Sequence, residues 1–214
     1  MIKNIIFDVG GTLVKAPDIF QEIAMNIKKE HDIDVKLELK KEFEKIYTGS
    51  LFYDVKTILN KITKDILNNK GITQSNIDPS KIYFDTFVNK SKLFEDTVKI
   101  LDYLKIKKIK LMILSDADSD VLLVELKKLG IINFFEKIII SSDIKCYKTS
   151  KDIKNHINPL LSEQKNNILF VGDSFADIYA AKNLNIKSVF INRHSDDQKG
   201  DITINSLLDI KKII

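Results

Sequence analysis

Five short apolar runs constrain this chain more than anything else in it: KNIIFDV (3–9), IKLMILS (109–115), EKIIIS (136–141), NILFVGD (167–173) and KSVFIN (187–192). Each packs Ile, Val, Leu or Phe side by side without the polar alternation of a half-exposed strand, so each predicts a strand buried on both faces. Between them apolar residues recur at helical spacing: Val98, Leu101 and Leu104; Val121, Leu122, Leu126 and Leu129; Ile178, Ala181 and Leu184. Strand and helix alternate from about residue 95 onward, which predicts a parallel sheet covered by helices on both sides.

One stretch breaks that rhythm. From about residue 17 to 92 only helical patterns occur, with Ile19, Phe20, Ile23, Ala24 and Ile27 on one face and Val55, Ile58, Leu59, Ile62, Ile66 and Leu67 on another. Breaks fall near Pro17 and between Asn89 and Asp96. The economical reading is a chain that leaves the core after its first strand, builds a helical lid and returns. The expected architecture is therefore an α/β fold, a Rossmann-like three-layer parallel-sheet core (1–16 and 93–214) with an inserted all-helical cap domain (17–92).

Composition narrows the function classes. The 214 residues carry a net charge of +4, yet the basic residues are scattered among acids, and Arg193 is the only arginine. The guanidinium forks that read bases or clamp phosphodiesters are absent, which argues against a nucleic-acid partner. No apolar run approaches the roughly 20 residues that span a bilayer, and MIKNIIFD leads straight into a strand without a signal-peptide core. Cys146 is the single cysteine, which suits a reducing compartment, and the expected location is cytoplasmic. His31, His156 and His194 stand isolated, without paired ligand spacing.

In an open parallel sheet, ligands bind beyond the carboxyl ends of the strands. Here those ends supply Asp8, Ser115, a lysine shortly after EKIIISS, and Asp173, with Asp177 one helical turn further. A nucleophilic carboxylate, a hydroxyl, an ammonium and two more acids suit the transfer of a phosphoryl group. The acids can hold a hard cation such as Mg²⁺, and the positive groups neutralise phosphoryl oxygens while a carboxylate attacks. The acidic run DADSD (116–120) lacks the glycine and terminal Glu of a calcium loop and is read as helix capping.

Four motifs in order, FDVGGT (7–12), ILS (113–115), SSDIKCYKTS (141–150) and FVGDSFAD (170–177), resemble those of the haloacid dehalogenase-like hydrolase superfamily, and the helical insertion resembles the cap of its phosphatase-type members. The resemblance implies a phosphoaspartyl intermediate on Asp8 and Mg²⁺ as cofactor. By position it implies Asp8, the Gly10 carbonyl and Asp173 as metal ligands, with Asp177 supporting them. It also implies Thr12 and Ser115 on the phosphoryl oxygens of the substrate, a small phosphorylated molecule, and a catalytic Lys148 paired with both nucleophile and phosphate; Asp116, following Ser115 where members vary, is taken as a further substrate contact. Lys148 is preferred to Lys145 by counting from Ser141 and Ser142, although Thr149 stands where members commonly have proline.

One departure matters. Phosphatases of this superfamily usually read Asp-x-Asp, the second acid protonating the leaving oxygen and then activating water, and this chain has Gly10 there. The metal-binding carbonyl survives; the acid/base carboxyl, typically worth about 10² to 10⁴ in rate, does not. A slow or leaving-group-limited phosphatase is expected, with a Mg²⁺- and phosphate-binding interaction module as the alternative. Two further rivals share the first motif. Sugar kinases of the actin and hexokinase type continue into a hairpin where this chain has Pro17, and haloacid dehalogenases use a cap arginine that is missing here.

Overall fold

The computed structural model describes residues 1–47, 51–193 and 200–214, so His194 lies outside the described residues. In chain order the elements are β1 (Asn4–Phe7), β2 (Val14–Lys15), α1 (Ile19–His31), α2 (Lys36–Tyr47), α3 (Val55–Asn69), α4 (Pro79–Lys90) and β3 (Lys92–Leu93). Then come α5 (Thr97–Ile106), β4 (Lys110–Ser115), α6 (Ser119–Lys128), β5 (Lys137–Ile140), α7 (Ser141–Ile144), α8 (Ile153–Ile157), β6 (Ile168–Gly172), α9 (Phe175–Leu184), β7 (Lys187–Ile191) and β8 (Ile202–Ile204).

Six strands form one parallel sheet in the order β5-β4-β1-β6-β7-β8. Alternate side chains explain why the strands read as unbroken apolar runs. Ile5, Phe7, Leu111, Ile113, Leu169 and Val171 point to one face and join Leu101, Leu104 and Leu126 of α5 and α6. Ile6, Met112, Leu114, Ile168 and Phe170 point to the other and meet Ile153 and Ile157 of α8 and Ala180, Ala181 and Leu184 of α9. Helix, sheet and helix make the three layers of a Rossmann-like α/β fold. Val98 departs from its helical pattern: it is 41% exposed, and Ile100 takes the buried place beside Leu101.

Between β2 and β3 the chain is helical. Asp18 caps α1 by accepting from Gln21 N–H at 3.1 Å, and Asp78 with Pro79 starts α4 in the same way. Ile23, Ile27, Leu39, Ile58, Leu59, Ile62 and Ile66 bury one another in a third cluster, which also takes in Val121 from α6. The stem of this insertion is a two-stranded antiparallel ribbon in which Val14 pairs with Leu93 and Lys15 with Lys92. No helix among the described residues is long and apolar enough to cross a membrane.

Candidate active site

Register brings the motif residues together. Phe7 pairs with Ile113 on one side and Val171 on the other, and Asp8 N–H extends the pairing by donating to the Val171 carbonyl at 2.9 Å. Asp8, Ser115 and Asp173 therefore leave neighbouring strands at one end of the sheet, as the topology requires. Lys148 arrives from the loop after α7. Its ammonium donates to Asp8 Oδ1 at 2.7 Å and to Asp177 Oδ1 at 2.6 Å, with all three side chains buried. Lys145 ends α7 in the left-handed conformation and pairs instead with Asp54 at the surface, at 2.9 Å. The two candidate lysines thus sit in different places, and only Lys148 reaches the carboxylates.

The remaining acids are held by donors that the local sequence supplies. Asp177 Oδ2 accepts from the backbone N–H and the hydroxyl of Ser174 at 3.0 and 2.6 Å, fastening the first turn of α9. Asp173 Oδ1 accepts from the Thr12 hydroxyl at 3.0 Å, so Thr12 is directed at this carboxylate. Two glycines allow the crowding. A Cβ on Gly11, whose φ is +78°, would lie 2.1 Å from Asp173 Oδ2, and one on Gly172 would lie 2.3 Å from the Asp177 side chain. Gly11→Ala is expected to force Asp173 aside and strain the turn. The cost should be about 2 kcal/mol, or about 5 °C in Tm, with weaker binding of divalent cation. Thermal unfolding with and without Mg²⁺ checks this, and an unchanged Tm would refute it.

Carboxylate oxygens of Asp8, Asp173 and Asp177 lie within 4.8 Å of one another. Fully ionised, the three carboxylates around the Lys148 ammonium would leave two negative charges in excess. Burial pushes Asp8 up to about 8 against the pull of Lys148, and Asp177 and Asp173 add to the rise. Burial and Asp177 raise Asp173 as well. Lys148 is held well above its usual range; burial alone would lower it, and Asp177, Asp8 and Asp116 outweigh that. An all-oxygen donor set with an excess of two negative charges fits a hard divalent cation. Both oxygens of Asp177 are already engaged, whereas the Gly10 carbonyl accepts no backbone hydrogen bond among the described residues.

The acidic run after β4 caps a helix, but a different one from its own. Asp118 accepts from the N–H groups of Val55 and Lys56 at 2.8 and 2.9 Å, serving the start of α3, and Lys56 also pairs with Asp120. Asp116 Oδ2 accepts from the Tyr47 hydroxyl at 2.5 Å and Oδ1 from Lys148 N–H at 3.0 Å. All three acids therefore fasten the inserted helices over the sheet end. Between them a cavity of about 310 Å³ opens onto Asp8, Gly10, Ser115, Asp116, Lys148 and Ser174.

Arg193 takes no part in that cavity. Its guanidinium grips Asp96 through two hydrogen bonds, at 2.9 and 3.2 Å, donates to the Thr12 carbonyl at 2.9 Å and lies 3.7 Å from the Phe94 ring centroid. It braces the first-motif loop from behind. Cys146 is buried in the core, and His31 lies beside Ser75 and Glu30 on the insertion.

A model of the haloacid dehalogenase-like hydrolase family matches residues 5–191. The chain belongs to that family. Across all of this hydrolase, and 97% of the relative, it is 28% identical to a glyceraldehyde 3-phosphate phosphatase from Methanocaldococcus jannaschii. A haloacid dehalogenase-like phosphatase from Thermococcus onnurineus superposes with a TM-score of 0.78 at 19% identity, covering 99% of this chain and 97% of that one. An L-2-haloacid dehalogenase from Xanthobacter autotrophicus does so at 0.75 and 16%, covering 100% and 98%. At those identities the superpositions speak for the fold alone, which carries both chemistries. The family and the phosphatase relative make this a phosphatase-like hydrolase.

Tyr47, Ser174 and Glu125 are all at the cavity wall; the first two had no signal in the sequence that set them apart, whereas Glu125 is an acid at helical spacing from Val121, Leu122 and Leu129. Tyr47 and Glu125 come from helices whose packing brings them there. Ser174 was readable only as a neighbour of Asp173.

Proposed function

We propose that this hydrolase is a cytoplasmic, Mg²⁺-dependent phosphatase for a small phosphorylated molecule, with residues 17–92 forming a cap over a core made of 1–16 and 93–214. The observation that carries the reading is the buried ammonium of Lys148 bonded to Asp8 at the end of the sheet, in a cavity large enough for a small ester. A carboxylate oxygen of Asp8 attacks phosphorus, the ester P–O bond breaks, and the leaving oxygen, with no carboxyl at position 10, departs as its oxyanion and takes its proton from water. Water then hydrolyses the aspartyl phosphate, releasing inorganic phosphate and restoring the carboxylate.

Lys148 balances the charge of Asp8 and of the incoming phosphoryl oxygens, and Ser115 lies at the same wall to hold one of them. Thr12 acts through Asp173, and Asp116 orients the Lys148 backbone and faces the substrate. Asp8, the Gly10 carbonyl and Asp173 would bind Mg²⁺, with Asp177 holding Lys148 and the start of α9 behind them. The cation supplies charge neutralisation at the phosphoryl group. The M. jannaschii relative supports a small substrate without identifying it here. Phosphate release from a panel of monoesters with and without Mg²⁺ tests the reading. No Mg²⁺-dependent turnover would overturn it and favour the interaction module that Gly10 suggests.

The charge excess gives an independent handle. Asp8 is raised from 3.8 to about 8 in the fold. Between those values the native state keeps a proton that the unfolded chain has lost, so stability falls as pH rises through the window. Glu125, raised to about 7, acts with the same sign. Metal-free protein should lose Tm between pH 5 and 8. Saturating Mg²⁺ should restore on the order of 5 °C at pH 8 and less at pH 6, where it competes with protons. An equal Mg²⁺ effect at both pH values would contradict the assignment of Asp8 as a ligand.

A further inference from the structure

Away from Asp8 the cavity changes character. Phe20 and Phe43 line it from α1 and α2, Tyr83 and Phe87 from successive turns of α4, and Val121 and Leu122 from α6. Among the described residues, the inserted helices bring no lysine, arginine or histidine to this wall. One acid outside the catalytic cluster lies on it. Glu125 is 3% exposed and sits four residues beyond Val121, on the same face of α6. It is six residues past the start of that helix at Ser119, which places it about 9 Å along the axis from the end near Ser115 and Asp116. Burial raises its carboxyl, and the Ser91 hydroxyl beside it draws the value part of the way back.

We propose that this cavity selects phosphate monoesters whose body is an uncharged, ring-sized apolar group carrying a hydrogen-bond donor, a hydroxyl or an amine, at its far end, where Glu125 receives it. The proposal rests on the phosphatase reading for the phosphate end. A second phosphate or a carboxylate against this wall would lose its hydration with no cation to meet it, and would face Glu125. A polyhydroxylated body would leave hydroxyls unpaired against the aromatic rings. A ring buries its faces and edges against Phe20, Phe43 and Phe87 instead. An aryl ester also releases a stable oxyanion, which eases the step that Gly10 leaves without a proton donor. The volume, about 310 Å³, is at the small end of ligand pockets and admits one substituted ring.

Binding of non-hydrolysable phosphonates to the whole protein in Mg²⁺, read by calorimetry, tests this without turnover. The 4-(hydroxymethyl)benzylphosphonate should bind about 10-fold tighter than its 4-ethyl isostere, and at least about 10-fold tighter than 4-carboxybenzylphosphonate or phosphonoacetate. Glu125→Leu should abolish the preference for hydroxymethyl over ethyl, and Glu125→Gln should narrow the penalty on the carboxylate. Should either variant fail to fold, the wild-type order alone decides. Equal affinity for hydroxymethyl and ethyl, tighter binding of the anionic probes, or no binding by any ring would overturn the proposal. Absence of Asp8-dependent turnover alongside the expected binding order would overturn the phosphatase reading and leave the ring-binding cavity standing.

Discussion

On the proposed phosphoaspartyl route, Asp8→Asn should lower Mg²⁺-dependent phosphate release by at least about 10⁴-fold while the protein stays folded, because removing the proposed nucleophile removes the route and not one contribution to it. The amide is nearly isosteric with the carboxylate, and its oxygen can still accept from the Lys148 ammonium that Asp8 Oδ1 receives at 2.7 Å. Above about pH 8, where Asp8 is ionised in the metal-free fold, the substitution also takes one negative charge out of the crowded acids, so metal-free Tm should hold or rise there. The wild type should accumulate a hydroxylamine-sensitive acyl phosphate when mixed with substrate, and the variant should not. Residual turnover near the wild-type level would mean that water attacks phosphorus directly, and the covalent scheme would fall.

The opposite change is expected at Gly10. Gly10→Asp should raise kcat on alkyl phosphates by about 10² to 10⁴, and raise it far less on aryl phosphates, whose leaving oxygens need little protonation. The fold leaves room for it. A Cβ on Gly10 meets only the Ala16 methyl, at an ordinary 3.7 Å, unlike one on Gly11 next door. Gly10 borders the same cavity as Asp8, so a carboxyl there stands beside the breaking bond. Parallel kcat measurements on one alkyl and one aryl ester decide the matter. No alkyl gain would show that protonation is already supplied from elsewhere and that Gly10 is not the deficit.

Much of the sheet was legible because burial on both faces leaves a plain mark. The five apolar runs all became strands of the parallel sheet, within a residue or two at each end. The three-residue β8 and the two-residue β2 and β3 left no such mark, since so few residues carry no periodicity. Asp8, Ser115 and Asp173 could be anticipated to converge because strand order and register dictate it. Thr12 could not be read as a partner of Asp173, nor Asp116 as one of Tyr47, because those contacts depend on loop paths. DADSD was legible as capping, but not as capping α3 across the interface. Glu125 falls at helical spacing from Val121, Leu122 and Leu129, so its place in the apolar stripe was legible, but not that α4 packs over it.

The little ribbon of β2 and β3 has an implication for how such a molecule diversifies. Antiparallel partners stand about 5 Å apart at Cα, so the chain departs and re-enters at nearly one point, Val14 beside Leu93. Everything between hangs from that one point and from the contacts of Tyr47, Val55 and Lys56 with Asp116 and Asp118, and none of these enters a strand register of the sheet. The cavity wall that the insertion supplies can therefore change while Asp8, Ser115 and Asp173 keep their places at the end of the sheet.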